Sequence, residues 1–84
     1  MYKNRASDGR NNLCGERIRA YRLALPGNVS QKAFAARLQA AGLDMDKNAV
    51  QRIECGKRFI TDIELKTIVQ VLGVSYHDLL DERE

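Results

Sequence analysis

Between Asp46 and Gly56 the chain carries Lys47, Asn48, Gln51 and Arg52, four long polar side chains within six residues. At 3.6 residues per turn that spacing gathers them on one side of a helix. Their chemistry suits base-pair edges: Arg or Lys can donate to the O6 and N7 of guanine, and Asn or Gln can pair with the N6 and N7 of adenine. The same pattern describes the solvated face of any amphipathic helix, so residue type alone leaves both readings open. Other chemistry has less to work with. His77 is the single histidine, no glycine-rich phosphate loop is present, and no hydroxyl or thiol is matched with a base. Ser30, the best-placed hydroxyl, is explained as a helix cap. Cys14 and Cys55 form no CxxC pair, so neither a disulfide framework nor a zinc site is encoded, and both read as reduced, small apolar core residues. The expectation is no enzyme, no metal and no cofactor.

Composition narrows the class further. The chain has 84 residues, 44% hydrophobic and 30% charged, which describes one small foldable domain rather than a disordered chain. Its longest apolar run is Ala33 to Ala36, too short for a membrane span, and no apolar stretch follows the basic N-terminus as a signal peptide requires. A cytoplasmic protein without a membrane partner is expected. The net charge of +3 conceals an asymmetry. Met1 to Ile60 holds twelve Lys/Arg against five Asp/Glu, a balance of +7, whereas Thr61 to Glu84 holds two against six, a balance of −4. A basic surface on so small a domain suits a phosphate-backbone partner.

Five helices must position these residues, and nothing reads as a strand. Residues 1–12 are polar and aperiodic, a loose basic arm ahead of a domain spanning 13–84. Cys14, Ile18, Tyr21 and Leu25 share one helical face until Pro26-Gly27 stops the first helix. Ser30 caps the second, whose buried stripe is Ala33, Phe34, Ala35, Leu38 and Ala41, ending at Gly42. Asp46 caps a short third helix, about 47–55, with Ala49, Val50 and Ile53 inward and Gly56 as its left-handed stop. Thr61 to Glu64 forms a capping box before Ile63, Leu65, Ile68, Val69 and Leu72. Ser75 to Asp78 forms another, opening a last helix expected to bury Tyr76, Leu79 and Leu80. Phe59 either plugs the core or lies exposed.

Four segments sharpen this reading: Cys14-Gly15-Glu16-Arg17-Ile18-Arg19, Ser30-Gln31-Lys32-Ala33-Phe34-Ala35, Val50-Gln51-Arg52-Ile53-Glu54-Cys55-Gly56-Lys57-Arg58 and Val71-Leu72-Gly73-Val74-Ser75. In this order they resemble the Cro/phage-repressor, or XRE, family of helix-turn-helix domains, over about Leu13 to Leu80. The resemblance implies an all-α, five-helix, lambda-repressor-like fold whose second and third helices form the helix-turn-helix. It implies a sequence-specific transcriptional regulator, a repressor by preference, that inserts the third helix into the major groove of double-stranded DNA. Lys47, Asn48, Gln51 and Arg52 then become base-contact residues. Ser30, Gln31 and Lys32 at the start of the second helix, with Lys57 and Arg58 after the third, become phosphate contacts. Arg22 and Glu54 become a partly buried ion pair that supports the third helix.

One spacing departs from the family pattern. Leu38 lies fifteen positions before Ile53, longer than the pattern by more than a helical turn, so either the second helix is extended or residues 39–46 form a true loop. A homodimer is expected because one short helix reads few base pairs, with its surface sought on Tyr76, Leu79 and Leu80. No small-molecule ligand is evident. Lys3, Arg5 and Arg10 of the arm either reach the minor groove or only add charge. The alternative is an antitoxin-like or accessory module that binds a protein partner; single-stranded RNA is disfavoured because no aromatic residues interleave with the basic ones.

Overall fold

A computed structural model of the chain describes residues 9–81. Among them it is all-helical: α1 (Gly15–Ala24), α2 (Gln31–Ala40), α3 (Lys47–Glu54), α4 (Asp62–Leu72) and α5 (Tyr76–Leu80). The starts follow from local chemistry. Ser30 Oγ accepts from the Ala33 N–H at 3.0 Å and Asp46 Oδ1 from the Ala49 N–H at 2.8 Å. Thr61 with Glu64 and Ser75 with Asp78 exchange side-chain and backbone bonds in two complete capping boxes. Each cap satisfies an N–H that the helix itself cannot reach.

The connection between α2 and α3 is a true loop. α2 ends at Ala40, and the Leu43 N–H returns to the Leu38 carbonyl at 2.9 Å. Met45 then turns into the core while Gln39 Nε2 donates to its carbonyl at 3.0 Å. The longer spacing is thus absorbed by a loop anchored on an apolar side chain.

Ile18, Phe34, Leu38, Val50, Ile53, Ile68 and Leu79 are fully buried and form the centre of the core, drawn from all five helices. α2 packs on α3 and α4, while α1 packs on α3 and α5. Arg17 of α1 also donates to the carbonyls of Asp78 and Asp81, holding the end of α5. The approach of α1 to α3 requires Gly15, because a Cβ there would land on the Ile53 carbonyl oxygen. Gly15→Ala is therefore expected to lower stability by about 1–3 kcal/mol through overpacking, read as a lower midpoint in urea at an unchanged slope.

Several core assignments made from periodicity are corrected. Tyr76 is 47% exposed and Leu80 39%, and only Leu79 of that trio is buried. Ile63 is 73% exposed, and Ala33 and Ala41 face solvent. Phe59 is half exposed, and Cys55 is exposed whereas Cys14 is buried. Periodicity identifies residues that share a face, but burial needs a second element to cover it. The five residues of α5 form little more than one turn, so Leu79 alone reaches the centre. Within the segment expected to be a loose arm, Asn11 and Asn12 are hydrogen-bonded to the domain, and residues 1–8, with Lys3 and Arg5, lie outside the described residues. No helix among the described residues is long and apolar enough to cross a membrane.

Candidate nucleic-acid interface

α3 divides its surface cleanly. Val50, Ile53 and Glu54 are buried and Ala49 half-buried, so Lys47, Asn48, Gln51 and Arg52 are left together on the exposed side. Among the described residues none of the four makes a side-chain hydrogen bond or ion pair to another side chain. Their donors and acceptors face water, available to a partner. Cys55, an expected core residue, is instead exposed at the end of α3.

What fixes α3 in place is a buried polar cluster. Arg22 Nε and Nη2 donate to Glu54 Oε2 and Oε1 at 2.7 and 3.0 Å, and Arg22 Nη1 donates to the Val29 carbonyl at 2.8 Å. Gln31 Nε2 adds a bond to Glu54 Oε1 at 3.0 Å. Arg22 is 6% exposed and Glu54 4%, so both charges have left water and each needs the other. The bond with Glu54 raises the Arg22 guanidinium still further above its ordinary range, against the opposing pull of burial. The cluster ties α1, the start of α2 and the end of α3 into one unit.

The phosphate candidates separate. Ser30 spends its hydroxyl on the cap of α2, and Gln31 is turned toward Glu54 rather than presented freely. Arg58 is committed to Glu64, with both terminal nitrogens at 3.0 Å from the two carboxylate oxygens. Burial alone would push the Glu64 carboxyl up, but the bonds from Arg58 and Thr61 outweigh it and hold it below its usual range. Arg58 is therefore neutralised in place, which weakens it as a phosphate contact. Lys32 and Lys57 are exposed and, among the described residues, without an ion pair.

The helix ends add a second electrostatic pattern. α1, α4 and α5 each carry an acid in the first turn, but α2 and α3 carry none. The positive ends of the α2 and α3 dipoles are thus not offset by a first-turn carboxylate, although Asp46 caps α3 itself.

Two residues escaped sequence reasoning entirely. Asn12 Oδ1 accepts from the Gly15 N–H at 2.7 Å, while its Nδ2 donates to the Ile53 carbonyl at 3.0 Å and the Arg58 carbonyl at 2.8 Å. Asn11 donates to the Gly56 carbonyl from its backbone at 2.8 Å and to the Lys57 carbonyl from its side chain at 3.0 Å. The only signal in the sequence was a pair of asparagines just before α1, where Asx residues favour caps and turns. No group of three or more His, Cys, Asp or Glu able to hold a metal occurs among the described residues. Comparison with protein-family models, with curated proteins and with solved structures finds no match to this chain.

Proposed function

We propose that this protein is a sequence-specific, double-stranded-DNA-binding transcriptional regulator of the Cro/phage-repressor type, in which α2 and α3 act as a helix-turn-helix and α3 enters the major groove. The observation that carries the reading is the exposed face of Lys47, Asn48, Gln51 and Arg52, on a helix whose opposite side is locked by the buried Arg22–Glu54 pair. A merely solvated helix has no need of a charged anchor that costs desolvation. A base-reading helix gains from a fixed seat, because each bidentate contact depends on placement within a fraction of an ångström. Lys32 near the start of α2 and Lys57 after α3 supply phosphate contacts, and the N-terminus of α2, which carries no first-turn carboxylate, adds backbone donors.

The test is DNA selection from random duplex, followed by fluorescence anisotropy of wild type against Arg52→Ala and Gln51→Ala. Each change is expected to weaken the selected site by about 1–3 kcal/mol, a factor of about 5 to 150, while altering generic duplex far less for Gln51→Ala. Equal loss on selected and generic DNA for both variants would remove the base-reading role.

The protein-partner alternative keeps one specific support. Tyr76 and Leu80 lie one turn apart on α5, both exposed. In the regulator reading this surface serves a homodimer, with Leu79 excluded from it because it is buried in the core. Loss of dimerisation in Tyr76→Asp with the fold intact supports that assignment.

A further inference from the structure

Resting on the DNA-binding reading, we propose that Asn11 and Asn12 are positioning residues: they clasp the turn after α3 and so hold Lys57 against the DNA backbone. The turn is pinned from both sides. On the α3 side, the Gly56 N–H donates to the Ile53 carbonyl at 3.0 Å, and the N–H groups of Lys57 and Arg58 donate to the Arg52 carbonyl at 2.8 and 3.2 Å. On the other side, the carbonyls of Gly56 and Lys57 accept from Asn11 at 2.8 and 3.0 Å, and that of Arg58 accepts from Asn12 at 2.8 Å. Three consecutive residues thus give their N–H groups to α3 and their carbonyls to the two asparagines. Every backbone donor and acceptor of Gly56, Lys57 and Arg58 is used.

Packing tightens the same turn. Gly56 adopts φ +82°, and a Cβ there would meet the aliphatic part of Arg10, which lies across it and pairs with Glu16 at 2.7 Å. The Arg58 side chain is held by Glu64. Of the side chains in the turn, Lys57 alone extends from a fixed backbone into solvent without an ion pair among the described residues. A lysine on a loose loop loses conformational entropy when it grips a phosphate; one on a backbone already ordered loses less of it. The clasp supplies that order, and it does so in register with α3, because Asn12 also bonds to the Ile53 carbonyl and to the first N–H of α1.

The decisive experiment measures binding of the full chain to generic duplex DNA across 50–200 mM salt for wild type, Asn11→Ala, Asn12→Ala, Lys57→Ala and the double variant Asn11→Ala with Lys57→Ala. Helical circular dichroism well below each melting midpoint establishes that the variants are folded. Lys57→Ala is expected to reduce the salt slope by about one, and the asparagine variants to move it in the same direction with about fivefold weaker binding at low salt. In the Lys57→Ala background, Asn11→Ala is expected to add nothing, since it acts through the lysine. A purely structural role would lower the melting midpoint and leave the slope of the folded protein unchanged, which overturns the proposal, as does full additivity of the two changes. Should Asn12→Ala fail to fold, Asn11→Ala decides, because its side chain touches only the Lys57 carbonyl among the contacts in question. Wild type without salt-sensitive binding defeats the DNA reading and this inference together; wild-type binding with unchanged asparagine variants defeats the clasp alone.

Discussion

Glu54→Ala is expected to cost about 3–5 kcal/mol of folding stability, because it leaves the Arg22 guanidinium buried without its counter-charge. The pair is bidentate, and its side chains are 7% and 2% exposed. A domain of this size has about 4–13 kcal/mol in total, so one substitution removes a large share of it. Gln31 loses the acceptor of its amide at the same time, loosening the start of α2. The built-in control is the other bidentate pair, Arg58 with Glu64, whose side chains are 34% and 15% exposed. Water still screens that pair, and Glu64→Ala is expected to cost no more than about 1 kcal/mol from the lost ion pair, with a further contribution of about 1 kcal/mol from the broken capping box. Urea denaturation of both variants separates the cases. Equal costs for Glu54→Ala and Glu64→Ala would mean that the buried cluster does not anchor α3.

Binding to generic duplex DNA should weaken about a hundredfold between 50 and 200 mM salt. In the proposed function the cations that would rest on phosphates of non-specific DNA are those at the start of α2, on α3 and in the turn after it, and four of these, Lys32, Lys47, Arg52 and Lys57, are exposed and without an ion pair among the described residues. Each phosphate neutralised contributes about −0.9 to the slope of log affinity against log salt, so four give about −3.6, and a fourfold rise in salt then yields roughly two decades. Arg58 is left out of this count because Glu64 already neutralises it. The count distinguishes sites as well as size. Lys32→Ala should lower the slope by about one, whereas Arg58→Ala should move it little once the loss of stability is allowed for. A slope near zero would show that the surface does not meet a phosphate backbone.

Much of the helical layout was legible in the residues because it depends on neighbours in the chain. Ser30, Asp46, Thr61 and Ser75 cap the helices at which they stand, since a short oxygen-bearing side chain reaches an N–H only a few residues away. The inward face of α3 followed from the 3.6-residue period, and its polar residues were left outside by the same rule. The length of the 39–46 segment signalled a departure from the family pattern, but not its form. Met45 supplied that form by entering the core, which residues from distant parts of the chain build.

Other features depended on distant parts of the chain and carried no residue-type signature. Asn12 serves main-chain carbonyls 41 and 46 positions away, and any residue offers a carbonyl, so no pairing rule points to it. Gly15 reads as an ordinary small residue until α3 is seen against it. Tyr76 and Ile63 occupy positions that look internal by period, yet among the described residues Tyr76 is about half exposed and Ile63 mostly so. Arg58 looked like a phosphate contact by its place after α3, until the folding of α4 brought Glu64 to it. The sequence by itself determined where the capped helices begin and which residues share a face, because these are settled within a turn or two of chain. The tertiary structure alone decided which apolar sides are covered, which charges are neutralised and which backbone carbonyls are clasped, because those outcomes belong to contacts between residues that the chain keeps far apart.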